Sequence, residues 1–275
     1  MATKNFISTV WSETLLKSLD KEYVAVMNCN RDFEGEIRNQ GDCVVINSIG
    51  PISVFDYTRD TDMNAPEALA EGANITLNID RAKAFCFQID DVDRVQAKPD
   101  LMQGAMREAA CALADEADKY VYSLYTEADE NNVISKTGVT ADSIVDVLIE
   151  TRQKLMQNNV NSNTSVVLEV SPAIAALILK AKILTGTDNT AALTNGYLGT
   201  FVGFDVYVSN NIAADGNTWH CMARTKRAIA FAEQLKSVEA FRPEKRFADA
   251  VKGLHLYGST VVYPQELVVL NLSAA

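Results

Sequence analysis

Histidine is nearly absent from this chain: only His220 and His255 occur among 275 residues, far apart in sequence. General acid–base chemistry draws on histidine more than on any other side chain. His220 follows Trp219 in a strand-like stretch, and structural roles are expected for both histidines. The sequence contains no phosphate-cradling Gly-rich loop ending in Lys-Ser/Thr, no His-Glu-x-x-His helix and no Gly-x-Ser-x-Gly elbow. The common nucleotide-hydrolase, zinc-protease and serine-hydrolase signatures are therefore missing. Gly196, Gly199 and Gly203 precede a strand and do not join a strand to a helix, which suits turns and not a dinucleotide fingerprint. Cysteine is sparse and odd in number: Cys29, Cys43, Cys86, Cys111 and Cys221 lie singly along the chain. A disulfide scaffold or zinc knuckle needs closer spacing, so all five are expected as small buried apolar residues in a reducing compartment. No apolar run approaches the roughly 20 residues that span a bilayer, and no N-terminal signal peptide is expected. Internal repeats and low-complexity tracts are also lacking.

Two acidic groupings could suggest a metal. Asp60, Asp62, Asn64 and Glu71 fall at positions 1, 3, 5 and 12 of a calcium-loop pattern. The obligatory glycine is replaced by Ala65, Pro66 follows, and a strand-like run precedes, so an ordinary acidic loop is expected. Asp90, Asp91 and Asp93 precede a long helical pattern, where negative charge complements the helix dipole. No catalytic residue, metal site or cofactor is expected. An acidic metal-dependent enzyme built on one of these groupings is the alternative from another class.

What is present is an ordinary globular composition, 48% hydrophobic and 22% charged, long enough for one large or two modest domains. The net charge of −11 disfavours tight binding to phosphate backbones. Residues 31–100 carry seven Lys/Arg against fourteen Asp/Glu, a net of −7, whereas residues 220–252 carry eight against four, a net of +4. Segments of opposite sign could meet within one subunit or between subunits.

The pattern along the chain is α+β. Phe6, Ile7, Val10 and Trp11 make an apolar terminus that must pack on its own body or on a neighbour. Residues 31–91 read as β, with strands expected over 42–47, 52–57, 75–79 and 85–89, the later two from period-two alternation. Together they suggest a long β-hairpin arm with an irregular tip between 58 and 74. Residues 99–126 form one helical stripe through Met102, Met106, Ala109, Leu113, Ala117, Tyr120 and Leu124, about 40 Å long. A second helix is expected from Thr140, a good N-cap, running through Ile144, Val145, Leu148, Ile149, Leu155 and Met156. Then come a strand over 166–170, a helix capped by Ser171 and opened by Pro172, a strand over 203–208, a buried run 228–231 and a strand-rich tail.

Several segments, in order, resemble the tailed-phage major capsid proteins of the Hong Kong 97-like fold. They are Phe6-Ile7-Ser8-Thr9-Val10-Trp11, with Ser8 where proline is usual; Phe33-Glu34-Gly35-Glu36-Ile37 and the following Gly41–Ile46; Gln88-Ile89-Asp90-Asp91-Val92-Asp93; Ser171-Pro172; Gly203–Asn211; and Phe247–Leu254. The resemblance implies an N-arm over 1–30, an extended loop and its base over 31–91, and a peripheral domain with its spine helix over 92–138. It further implies an axial domain over 139–239 and a return to the peripheral domain over 240–275. It implies hexamers and pentamers tiling an icosahedral shell around double-stranded DNA held without sequence-specific contacts. The implied partners are other copies of the chain, a separate scaffolding protein, a portal and decoration proteins, with no membrane. Assembly would take place in the host cytoplasm, and the product is the virion capsid. Phe6, Ile7, Val10 and Trp11 are the expected subunit-interface residues. An encapsulin-like bacterial compartment shell, which shares the fold, is the nearer alternative.

Overall fold

A computed structural model describes residues 15, 22–33, 41–46, 59, 74–90, 101–161, 163–184, 197–244 and 247–274. Strand β1 (Cys43–Ile46) pairs antiparallel with β2 (Ile75–Asn78), forming a two-stranded base. β3 (Arg81–Asp90) alternates as its sequence predicts: Phe85, Phe87 and Ile89 are half-buried between exposed neighbours. It does not continue the hairpin, however. Its partner is the distant β11 (Ala248–Val261), which also pairs with β10 (Ile229–Phe241), giving the order β10-β11-β3. Alternation reveals a strand and its faces but not its partner, which depends on contacts far away in sequence. The strand expected over 52–57 lies outside the described residues.

Alternate residues of a strand face opposite sides, and the three-stranded sheet uses both. Phe231, Val251 and Tyr257 join the apolar cluster of α1 (Leu101–Ser123). Ala232 and Leu256 meet Val44, Leu77 and Ile79 of the two-stranded base. A register shift between Leu235 and Ser237 keeps Val238 on the α1 side. Gly258 has no room for a side chain, since a Cβ there would sit 2.0 Å from the Asn78 carbonyl oxygen. That absence lets β2 lie directly on β11.

The 23 residues of α1 make a strut of about 35 Å, and a 3₁₀ turn, Leu124–Glu127, continues it to the expected end. Met106, Ala110, Leu113, Ala114, Ala117 and Val121 are buried. Ala109 and Tyr120 of the predicted stripe lie at its edges, half-buried. A seven-stranded sheet fills the rest of the body. Its strands are β4 (Val133–Val139), β5 (Val166–Val170), β6 (Tyr197–Phe201), β7 (Phe204–Val208), β8 (Ala214–Asp215), β9 (Thr218–Thr225) and β12 (Leu267–Ala274). The order is β4-β12-β9-β5-β7-β6, with β8 paired to β9. Cys221, Ala223, Val268 and Leu270 face α2 (Ser143–Gln157) and α3 (Pro172–Leu184). Met222, Leu267 and Val269 face the α1 cluster. Within 240–275, β11 lies on the α1 side, and β12 lies between β4 and β9.

Local signals act much as expected. The Ser171 hydroxyl accepts from the Ile174 N–H at 3.4 Å, and Pro172 opens α3. Thr140 and Ser143 exchange hydrogen bonds ahead of α2, so the helix begins three residues later than its capping threonine suggests. Of the apolar residues of α2, Ile149 and Met156 are 52% and 49% exposed. The face buried against the sheet is Ile144, Val147, Leu148, Thr151 and Leu155. Cys43 and Cys86 are likewise exposed, while Cys29 and Cys221 are buried.

Candidate assembly sites

The body grips the chain most firmly at residues 22–33, a strap crossing the boundary between the two sheets. Asp118, buried on α1, accepts from the backbone N–H groups of Val24, Ala25 and Val26 at 2.9, 3.0 and 3.1 Å. These amides open a 3₁₀ turn, Val26–Asn28, and would otherwise be orphaned. Arg224, fully buried on β9, donates to the carbonyls of Asn28 at 2.6 Å and Ala25 at 2.9 Å. Its Nε and Nη2 also form a two-pronged pair with the Glu169 carboxylate on β5, at 3.0 and 2.9 Å. Asn28 Nδ2 adds bonds to the Val24 carbonyl and to Glu169. Beyond the turn, Asn30 forms a parallel bridge to Ala230: its N–H donates to the Ile229 carbonyl, and its own carbonyl accepts from the Phe231 N–H.

A second carboxylate holds both ends of the strap. Glu233, buried on β10, accepts from the Tyr23 hydroxyl and from Arg31 Nη2 at 2.8 Å. It also lies 2.8 Å from His255 Nε2 on β11. Desolvation raises the Glu233 carboxyl, but His255, Tyr23 and Arg31 outweigh it and hold the group below the usual range. For Asp118 burial wins: its carboxyl is pushed up to about 7 against the pull of three amides. Burial raises the Glu169 carboxyl while the Arg224 guanidinium opposes it. Arg224 itself is held firmly cationic by its anionic surroundings, despite burial.

Nothing here resembles a catalytic centre. His255 serves Glu233. His220 stacks on Tyr125 with ring centroids 4.0 Å apart, its Nδ1 2.6 Å from Asn271 Oδ1 and its Nε2 3.2 Å from Asp215 Oδ2. Burial pushes the Cys29 and Cys221 thiols up to about 11 and about 12, which keeps them unreactive. Among the described residues no group of three or more His, Cys, Asp or Glu could hold a metal. The Asp60, Asp62, Asn64 and Glu71 grouping lies outside the described residues, as do Asp91 and Asp93. The interface residues read from sequence, Phe6, Ile7, Val10 and Trp11, also lie outside them.

The outer surface carries an apolar feature on α2. Ile149 and Met156, two turns apart on α2, line a groove with Arg152 and with Val202 from the β6–β7 turn. Val202 adopts φ +51 and the following Gly203 φ +77. A β-branched residue in left-handed backbone is strained. At the far end of the three-stranded sheet, Phe247 is 82% exposed beside Phe241.

Residues 64–270 match the family described as phage capsid protein. The chain belongs to the phage capsid protein family. Among solved structures, this capsid protein is similar to one from Mycobacterium phage Che8, with 28% identity over 90% of this chain and 91% of that chain, at a TM-score of 0.69. It is also similar to the capsid of Ralstonia phage GP4, with 10% identity over 93% and 90% and the same TM-score. The holo-SrpI encapsulin complex of Synechococcus elongatus shares the fold more distantly, with 11% identity over 86% and 83% and a TM-score of 0.58. No curated protein matches the sequence. The fold is thus the Hong Kong 97-like fold, and the chain is a phage major capsid protein. Its role is structural: copies assemble into the capsid shell of the virion.

Proposed function

We propose that this capsid protein forms hexamers and pentamers that close an icosahedral shell around the double-stranded DNA of a tailed phage. The observation that carries the reading is the strap. One short segment, residues 22–33, is clamped by three carboxylates from α1, β5 and β10. Such an anchor suits an N-arm over 1–30 and an extended loop over 31–91 that share this root on their own subunit and reach neighbouring subunits with the rest of their length. The peripheral domain is then 92–138 with 240–275, and the axial domain 139–239. A net charge of −11 suits a lining that confines DNA without gripping it. A separate scaffolding protein, a portal and decoration proteins complete the head, which is assembled in the host cytoplasm.

Negative-stain microscopy with light scattering tests the reading on purified protein, alone and co-expressed with a scaffolding candidate. Rings of five or six, or closed shells holding DNA in the phage context, are expected. A compact monomer or dimer under every condition would sink it, and shells filled with an enzyme cargo would favour the encapsulin-like alternative. Native shells from this chain alone would remove the separate scaffold. Replacing Phe6, Ile7, Val10 and Trp11 together with serine should leave the melting temperature unchanged and reduce closed shells. A fall of several degrees would instead assign these residues to their own subunit's core.

A further inference from the structure

Three donors converge on a single buried carboxylate, and two of them belong to opposite ends of the strap. Tyr23 and Arg31 reach Glu233 from the strap, and His255 reaches it from β11. We propose that Glu233 is a proton-controlled latch on the two ends of the strap, which holds Tyr23 and Arg31 on the three-stranded sheet when ionised and releases them when protonated. An ionised carboxylate only accepts hydrogen bonds and can serve three donors at once. A protonated one has lost an acceptor site, and its own hydrogen must be placed among groups that are already donating. The charge attraction for Arg31 disappears at the same step.

The surroundings leave few substitutes for that charge. The strap presents Tyr23 and Arg31. β11 presents His255, with the Tyr257 ring 5.0 Å from its imidazole. α1 contributes Asp118, whose charge acts on Tyr23. On β10 itself the neighbours on the same face, Phe231 and Leu235, are apolar. His255 is fully buried, and its Nδ1 has no hydrogen-bond partner, so the imidazole is committed to Glu233 through Nε2. Releasing Tyr23 and Arg31 loosens both ends of the strap with one proton, while Asp118 and Arg224 keep its middle on the body. The latch stands on this geometry alone. Its consequence for assembly rests on the proposed arm and extended loop.

Amide hydrogen exchange on the full chain tests it from pH 8 to pH 4, with protection of residues 22–33 corrected for intrinsic exchange. Below the latch midpoint, wild-type protection at the ends of the strap, around Tyr23 and Arg31, should fall about tenfold per pH unit, the slope for one proton, while β9 and β12 stay protected. Tyr23→Phe removes one donor from the ionised form and should move the midpoint up by about one pH unit. Glu233→Gln should give a profile without that midpoint. If Glu233→Gln does not fold, Tyr23→Phe and Arg31→Gln carry the test. Equal midpoints in wild type and Tyr23→Phe would overturn the latch, as would loss of strap protection in step with β9 and β12. Exchange is read whether or not the chain builds shells, so failure of the latch and failure of the assembly reading remain distinct.

Discussion

Arg224 is a guanidinium taken fully out of water, and its position is tolerable only because Glu169 and two strap carbonyls meet its donors. Arg224→Ala should cost about 3–5 kcal/mol in chemical denaturation, because it strands the Glu169 carboxylate without its partner. Two of the three strap carboxylates, Asp118 and Glu233, respond to pH in opposite senses. Asp118 is raised by folding to about 7, so its stabilisation is present below its unfolded value and lost as pH rises through 7. Glu233 is lowered, so its stabilisation is present above its unfolded value and lost as pH falls through the folded one. Melting temperature should therefore peak in weak acid, and Asp118→Asn should flatten the alkaline limb. A peak that Asp118→Asn leaves unchanged would assign the limb to another group. Little of this network was legible in the sequence. Glu169 interrupts the apolar run Val166–Val170, which hints at a buried charge. Nothing local indicates that its partner lies 55 residues away on β9.

At the scale of elements, two glycines make opposite predictions. Gly104 lies exposed in α1, with nothing within 4 Å of where a Cβ would stand. Gly104→Ala should stabilise the protein by about 0.5–1 kcal/mol through backbone entropy. Gly258→Ala should destabilise it by about 1–3 kcal/mol, since β2 must move off β11 to admit a methyl group. Denaturant titration of both variants in parallel checks the contrast. Element type was largely readable. Period-two alternation marked β2 and β3, period 3.6 marked α1, and Ser171-Pro172 marked the start of α3. Partners and facing were harder. β3 pairs with β11 because the sheet is assembled across the whole chain. Ile149 and Met156 fit a helical stripe by spacing, but α2 turns a different stripe to the sheet. Sequence spacing identifies an apolar face, while only tertiary contact decides which of two neighbouring faces is covered.

Across the whole molecule, the family resemblance was carried by short segments in the right order, and the fold bears it out. The outward groove offers a test at this scale. Ile149→Ser and Met156→Ser should change folding stability by no more than about 0.5 kcal/mol, as exposed substitutions do, yet reduce shell yield in microscopy. Normal shells from the double variant would assign the groove no part in assembly. The position of β12 has a different kind of consequence. This strand lies between β4 and β9, pairing parallel with one and antiparallel with the other, and it spans Leu267–Ala274. Until those residues have been synthesised and have cleared the ribosome, β4 and β9 have no strand between them and the sheet stays in two pieces. A polysome carries many partial copies of a shell protein at high local concentration, where premature association would be ruinous. Because β12 stands second in the sheet and is the neighbour that joins β4 to β9, the edge strand β4, made more than a hundred residues earlier, must wait for residues 267–274 before it can dock.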